Sequence, residues 1–275
     1  MLKKAYLEIT DICNLSCSFC PGTRREKRFM TAEEFRVLAG KLRPHTDYLY
    51  LHLMGEPLLH PDLCKLLGIA GELGFKVILT TNGTLLAKAG DVLLASPGVH
   101  KVNVSLQSFE ANKNGALEEY ISSCAAFAKR ASDCGKLCVL RLWNEGGANT
   151  LNGRIKELLE KSFPPPWRES RQSLVLGDRV FLESGTKFDW PDMGADDTGD
   201  RRFCYALKDQ VGVLCDGTVV PCCLDHEGDI PLGDLFEDSL ENILASPRAV
   251  AMREGFMQRR AAEPLCRRCG YSRRF

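Results

Sequence analysis

Residues 13–20 read Cys13-Asn14-Leu15-Ser16-Cys17-Ser18-Phe19-Cys20, and they follow an alternating stretch, Tyr6 to Thr10, with the pattern of a β-strand. Three thiols in one short loop supply three ligands. A four-iron cluster held by them keeps one iron without a protein ligand, much as a catalytic zinc site keeps one position open. An iron with an open position can bind and reduce a substrate. A zinc site completed by a fourth ligand from elsewhere is the other reading that three close cysteines permit.

Working outward from this loop, strand-like runs near 5–10, 48–54, 76–81, 101–106, 137–143 and 174–182 alternate with helical stretches near 31–42, 62–73, 84–94, 117–134 and 149–162. Thr31, with Glu33 and Glu34 behind it, is a capping start for the first helix. Such alternation predicts an α/β fold with a parallel sheet, and six repeats favour a partial (β/α)6 barrel. Strands buried on both faces normally read as continuous apolar runs. Here Tyr6, Glu8 and Thr10 alternate with Leu7 and Ile9. Likewise Tyr48, Tyr50, His52 and Met54 alternate with Leu49, Leu51 and Leu53, and Asn103, Ser105 and Gln107 with Val102, Val104 and Leu106. Side chains alternate faces along a strand, so the aliphatic set is expected to meet the helices and the polar set to line an enclosed cavity.

Lys plus Arg and Asp plus Glu both number 36 in 275 residues, so no global field draws the chain to nucleic acid or to an acidic membrane. Glu8 and Asp11 interrupt any signal-like apolar run after Lys3-Lys4, and no stretch approaches the ~18 apolar residues of a spanning helix. A cytoplasmic location without a membrane or nucleic-acid partner is therefore expected. Thirteen cysteines in such a compartment point to metal ligands or small buried hydrophobes. Residues 184–203, rich in Gly, Asp and Pro, are expected to link a barrel over 1–183 to a small cysteine-rich domain over 204–275. That domain opens with a hairpin about Asp216-Gly217.

The Cys13-x3-Cys17-x2-Cys20 spacing, with Phe19 before the last cysteine, resembles the radical S-adenosylmethionine (SAM) superfamily. That resemblance implies a catalytic 4Fe-4S cluster on Cys13, Cys17 and Cys20 whose open iron chelates SAM. Reductive cleavage then gives methionine and a 5′-deoxyadenosyl radical that abstracts hydrogen from substrate. It also implies a reductant such as flavodoxin or ferredoxin. Gly55-Glu56-Pro57 resembles the family motif that engages the SAM amino group, with Met54 where many relatives carry another glycine. Thr81-Asn82 and Ser105-Leu106-Gln107 resemble positions that contact SAM's ribose and carboxylate. Arg141 suits a carboxylate because its planar fork meets both oxygens.

Cys204, Cys222, Cys266 and Cys269 resemble the auxiliary-cluster region called SPASM in its two-cluster form and twitch in its one-cluster form. One fully protein-ligated auxiliary 4Fe-4S cluster is expected, because only Gly270 to Phe275 follow the final pair. The spacing is similar to the twitch region of 2-deoxy-scyllo-inosamine dehydrogenases, which implies an oxidation. Cys215 and Cys223 compete with Cys222 as ligands, and a structural four-cysteine zinc knuckle is the alternative. Arg259, Arg260, Arg267, Arg268, Arg273 and Arg274 crowd this end and either face solvent or offset cluster charge.

The expectation is an oxidoreductase acting on a small polar substrate held among Glu8, His52, Asn103 and Arg141. His52 is the candidate acid or base because its ordinary pKa lies near neutrality. Maturation of a ribosomal peptide is the alternative, weakened because the first strand begins almost at Met1. A zinc-stabilised scaffold is the non-enzymatic one.

Overall fold

The computed structural model describes residues 1–112, 115–171 and 173–274, the last without its side chain. Five parallel strands follow the chain: β1 (Lys4–Leu7), β2 (Tyr48–Tyr50), β3 (Lys76–Thr81), β4 (Val99–Ser105) and β5 (Leu137–Glu145). Helices α1 (Ala32–Leu42), α2 (Leu63–Glu72), α3 (Leu86–Ala95), α4 (Gln107–Asn112), α5 (Leu117–Asp133) and α6 (Asn152–Ser162) lie between or after them. The expected cap of α1 is a full capping box: Thr31 Oγ1 accepts from the Glu34 amide at 3.2 Å and Glu34 Oε2 from the Thr31 amide at 2.8 Å.

The run 174–182, expected as one strand, is a hairpin. β6 (Arg168–Ser170) and β7 (Ser173–Gly177) run antiparallel, and the chain turns at Asp178-Arg179 into β8 (Val180–Thr186), which pairs parallel with β5 as the sixth barrel strand. Arg179 takes the left-handed conformation at φ 53°, and Gly177-Asp178 was the turn signal inside an otherwise apolar run.

The sheet continues into the C-terminal unit. β9 (Gln210–Val213) pairs parallel with β1, from Lys4 against Gln210 to Leu7 against Val213. β10 (Thr218–Val220) and β11 (Gly233–Asp234) extend it antiparallel. Helices α7 (Leu240–Leu244), α8 (Pro247–Met257) and α9 (Pro264–Arg267) complete the unit. Gly217 makes the β9–β10 turn at φ 89°, where a Cβ would collide with the Phe236 ring. The boundary expected at 184 falls inside β8, and the stretch after it packs on the C-terminal unit. Gly270 N donates to Asp189 O at 3.2 Å, Thr198 N to Arg267 O at 3.2 Å and Arg202 N to Arg259 O at 2.9 Å. Arg260 pairs with Asp200, and Arg267 and Arg268 with Asp197, so these arginines answer aspartates of that stretch. The side chain of Arg274 lies outside the described residues.

Leu7, Ile9, Leu49, Leu51, Val102 and Val104 join Phe35, Leu38, Leu66 and Phe127 of the helices in one core, as the alternation predicts. Leu53 departs from it. β2 ends at Tyr50, so the two-residue period lapses and Leu53 turns inward with Tyr6, Leu214 and Val220.

Candidate active site

The cysteine loop is braced by the ends of the neighbouring strands. Glu56 N donates to Ile12 O at 2.8 Å, just ahead of Cys13. Gly55 is required there: its φ is 73°, and a Cβ would collide with Thr10 O and lie 2.9 Å from Ile12 O. The buried Glu56 carboxylate accepts from Leu58 N at 3.0 Å and Asn82 N at 2.7 Å, joining the ends of β2 and β3. Pro57 opens the short 3₁₀ turn, Pro57–Leu59, that presents Leu58. Thr81 Oγ1 accepts from Gly83 N at 3.1 Å, and Asn82 Nδ2 donates to Asn14 Oδ1 at 2.9 Å within the cysteine loop.

Polar donors aim at the sulfurs themselves. Asn112 Nδ2, at the end of α4, lies 3.0 Å from Cys17 Sγ, and Leu15 N lies 3.5 Å from Cys13 Sγ. Asn112 Oδ1 also accepts from Ser16 N at 3.0 Å. Donors directed at thiol sulfur suit thiolate ligands of a cluster, whose charge they offset. Cys13 and Cys20 are exposed and Cys17 half-buried, and burial raises the thiols of Cys13 and Cys17 above the ordinary range.

Beside this loop lies a cavity of about 840 Å³, enough for a cofactor and a small substrate together. Phe19, Ser105, Gln107 and Arg141 line it, together with His52, Tyr6, Tyr50 and Trp143. Gln107 Oε1 is buried and has no hydrogen-bond partner among the described residues, an acceptor that suits a ligand donor. Arg141 stacks 4.4 Å from the Trp143 ring centroid, and its Nε lies 3.3 Å from Glu183 Oε2. Burial lowers the guanidinium's pKa, while Glu183 opposes that shift.

Three sequence expectations change. Glu8 does not line the cavity: it is fully buried, and its carboxylate meets Arg25 Nη2 at 2.8 Å while accepting from Met54 N at 3.1 Å and Cys215 N at 3.3 Å. That makes Glu8 a tie between segments, and it places Met54 by its backbone. Asn103 does not line the cavity: its Nδ2 donates to Leu79 O and Thr80 Oγ1 at 3.2 Å each, while its buried Oδ1 has no hydrogen-bond partner among the described residues. His52 does face the cavity, with Nε2 3.2 Å from Thr80 Oγ1, but its pKa is pushed down to about 3 by burial and by the positive charges of Arg141 and Lys4. It is neutral at physiological pH and serves as an acceptor or weak base, not as an acid.

The far wall of the same cavity carries Cys204, Cys222, Cys223, Cys266 and Cys269. Ala206 N lies 3.4 Å from Cys204 Sγ. Burial, reinforced by neighbouring thiols, raises the pKa of Cys222 and Cys266 well above the ordinary thiol range and takes Cys204 up to about 11. These thiols face one another's charge, as co-ligands do. Among the described residues no three His, Cys, Asp or Glu side chains converge tightly enough to hold a single metal ion. Cys215 is removed from the contest, because it is buried and its thiol donates to Glu8 O at 3.0 Å. Cys223 faces Tyr6 within the cavity.

Residues 7–145 match the radical SAM superfamily, and residues 204–270 match the SPASM iron-sulfur cluster-binding domain. The chain belongs to the radical SAM superfamily. It is a radical SAM enzyme with a SPASM region, and the cofactors of that family are SAM and 4Fe-4S clusters. The zinc-scaffold reading gives way to this. Over 115 residues the chain is 32% identical to the probable GTP 3′,8-cyclase of Pyrobaculum aerophilum, covering 41% of this chain and 37% of that one. It is 32% identical over 101 residues to the Fe-coproporphyrin III synthase of Methanosarcina barkeri, covering 36% of this chain and 25% of that one. The chain thus matches well under half the length of these curated relatives. Among solved structures, BtrN in complex with AdoMet and 2-DOIA aligns with a TM-score of 0.64 at 18% identity, over 98% of this chain and 93% of that one. Streptococcus suis SuiB bound to S-adenosylmethionine aligns with a TM-score of 0.66 at 17% identity, over 92% and 68%. At these identities the likeness is one of fold. No helix among the described residues is long and apolar enough to cross a membrane.

The radical SAM assignment did not require Asn112, Lys4, Lys101 or Trp143, which sequence reasoning passed over. Lys4 and Lys101 had a signal: each stands two residues before an inward-facing residue already recognised, Tyr6 and Asn103. Asn112 had none, because its part depends on where α4 ends.

Proposed function

We propose that this radical SAM enzyme oxidises a small polar substrate held in the cavity between its two sets of cysteines. When bound, SAM and the cluster on Cys13, Cys17 and Cys20 supply a 5′-deoxyadenosyl radical that abstracts hydrogen. Reduced flavodoxin or ferredoxin is the electron donor that fits the family. Arg141, midway along β5 beside the end of β4, and Gln107, at the start of α4, would hold the carboxylate and a donor group of SAM, with Phe19 lining the same cavity. Gly55 and Glu56 fix the cysteine loop against the strand ends so that these groups keep one geometry. Cys204, Cys222, Cys266 and Cys269 would hold one auxiliary 4Fe-4S cluster, which would supply an electron acceptor beside the substrate. His52, neutral in the wall, accepts a hydrogen bond or the substrate proton released in the oxidation.

The observation that carries this reading is the single cavity shared by strand-end residues and the C-terminal thiols, which puts a substrate within reach of both. Anaerobic reconstitution tests it. About eight irons and eight sulfides per chain are expected, as two four-iron clusters require. Reduction should then cleave SAM, with deuterium passing from a labelled substrate into 5′-deoxyadenosine. Stoichiometric zinc with no SAM cleavage would sink the proposal.

A further inference from the structure

The deep half of the cavity has an unbalanced charge. Of the cations on its wall, Lys3 is held by Asp209 at 2.7 Å, Arg141 by Glu183 at 3.3 Å and Lys187 by Asp189 at 4.0 Å. The one further acid there, Asp225, accepts from the amides of Asp229 and Ile230 at 2.9 and 3.0 Å. Lys4 and Lys101 remain, both lining the cavity, and neither forms an ion pair with a carboxylate among the described residues. Lys4 Nζ lies 5.2 Å from the ring centroids of both Tyr6 and Tyr50. Burial lowers the pKa of both ammoniums, and Arg141 adds to that shift in each case. Both are half-buried, with Asp209 and Glu183 acting on them only from beyond ion-pair distance. Ammoniums drawn from water without a paired carboxylate are costly, and an incoming anion relieves that cost.

Two observations separate this pair from cofactor binding. First, Tyr6, Tyr50, Ile78 and Lys101 stand side by side across β1 to β4, whereas Arg141 stands beside Ser105, four residues further along β4. Lys101 therefore sits roughly 13 Å below the end of β4, at about 3.3 Å per residue. Second, the charges acting on Lys101 are Arg141, Glu183 and Lys4, with no thiol among them, whereas Lys4 also feels Cys223; Lys101 is thus the member of the pair that does not serve to balance an auxiliary cluster.

We propose that Lys4 and Lys101, beside the rings of Tyr6 and Tyr50, form an anion pocket for the substrate, which accordingly carries a carboxylate or a phosphate. This rests on the reading of the cavity as the substrate chamber and adds the chemical class that fills it. The test is calorimetric binding to the reconstituted, SAM-loaded enzyme of four probes of similar shape: phenyl phosphate, phenylacetate, 2-phenylethanol and phenethylamine. At least one anion is expected to bind at least about tenfold more tightly than the alcohol, and the amine more weakly than the alcohol. The stronger of the two anions identifies the headgroup. Lys101→Met should lose about tenfold in anion affinity and leave the alcohol unchanged, while Lys101→Arg should keep the anion. Equal binding of all four probes, binding of none, or full anion affinity in a Lys101→Met enzyme with unaltered melting overturns the pocket. Probe binding needs no turnover, so the pocket survives a failure of deuterium transfer. Conversely, deuterium transfer from a cationic substrate overturns the pocket while leaving the radical chemistry standing.

Discussion

The two cysteine regions reach their sites by opposite routes. Cys13, Cys17 and Cys20 share one loop, stand exposed or half-buried, and take hydrogen bonds from Leu15 N and Asn112 Nδ2. Cys204, Cys222, Cys266 and Cys269 come from three segments and close the cavity's far wall, where burial raises all four thiols, those of Cys222 and Cys266 well above the ordinary range. A local motif makes an open site, while a site gathered by the fold is enclosed by it. The sharpest way to break the comparison is to remove one thiol from each. Cys17→Ala should abolish SAM cleavage and lose about four of eight irons. Cys266→Ser should lose the other four, retain SAM cleavage without substrate and give no oxidised product. Normal SAM cleavage in the Cys17→Ala enzyme would show that the open site has been misplaced.

The two regions are also tied together, by Arg25. Its Nη2 meets the fully buried Glu8 at 2.8 Å and its Nε donates to His226 O at 2.9 Å, so the segment after Cys20 is fastened to both β1 and the C-terminal unit. Arg24 N adds a bond to Glu227 Oε1 at 2.9 Å. Arg25→Met leaves Glu8 buried with its charge unmatched, a loss of about 3–5 kcal/mol when one partner of a buried pair is removed. Urea denaturation should show that loss. Arg25→Met combined with Glu8→Gln should recover part of it; if the double variant is as unstable as the single one, the tie is not electrostatic.

Asn112→Ala tests the open loop more gently. It removes one donor at Cys17 Sγ and one acceptor for Ser16 N, each bond contributing about 1 kcal/mol. The reduction potential of the catalytic cluster should become more negative, since hydrogen bonds to sulfur raise it. SAM cleavage should slow about fivefold, while iron content stays unchanged. A potential equal to the wild type would show that Asn112 braces the loop without touching the cluster's electronics.

What was legible in the sequence follows the same division. The Cys13–Cys20 loop, the capped start of α1 and the parallel alternation were readable because each depends on neighbours within one or two turns or strands. The parity of Tyr6, Tyr50 and His52 was readable too, and it pointed into the cavity. Glu8 shared that parity, yet its role was hidden because Arg25, Met54 and Cys215 reach it from three other segments. The pairing of β9 with β1 was equally hidden, since no local pattern says that a hairpin two hundred residues on will extend the first strand. Leu53 misled because the period of two applies only while the strand lasts, and β2 stops at Tyr50.

Between the cysteine regions stands His52, which gives the smallest and most specific effect. In the folded chain it takes a proton only below about 3, because burial and the charges of Arg141 and Lys4 oppose it, whereas the unfolded chain takes one near 6.5. The unfolded state therefore binds the extra proton between those values. His52's contribution to stability is complete above pH 6.5 and is lost as the pH falls toward 3, at no more than about 1.4 kcal/mol per pH unit. Between pH 7 and 5.5 the wild type should lose stability more steeply than His52→Gln by up to that slope, in matched urea titrations. Substrate turnover should show no break near pH 6.5 in either protein, because His52 is already neutral on both sides of it. Such a break in the wild type, absent from His52→Gln, would mean that the ring is open to water and charged by pH 6, and its place as a neutral acceptor between the two cysteine sets would fall.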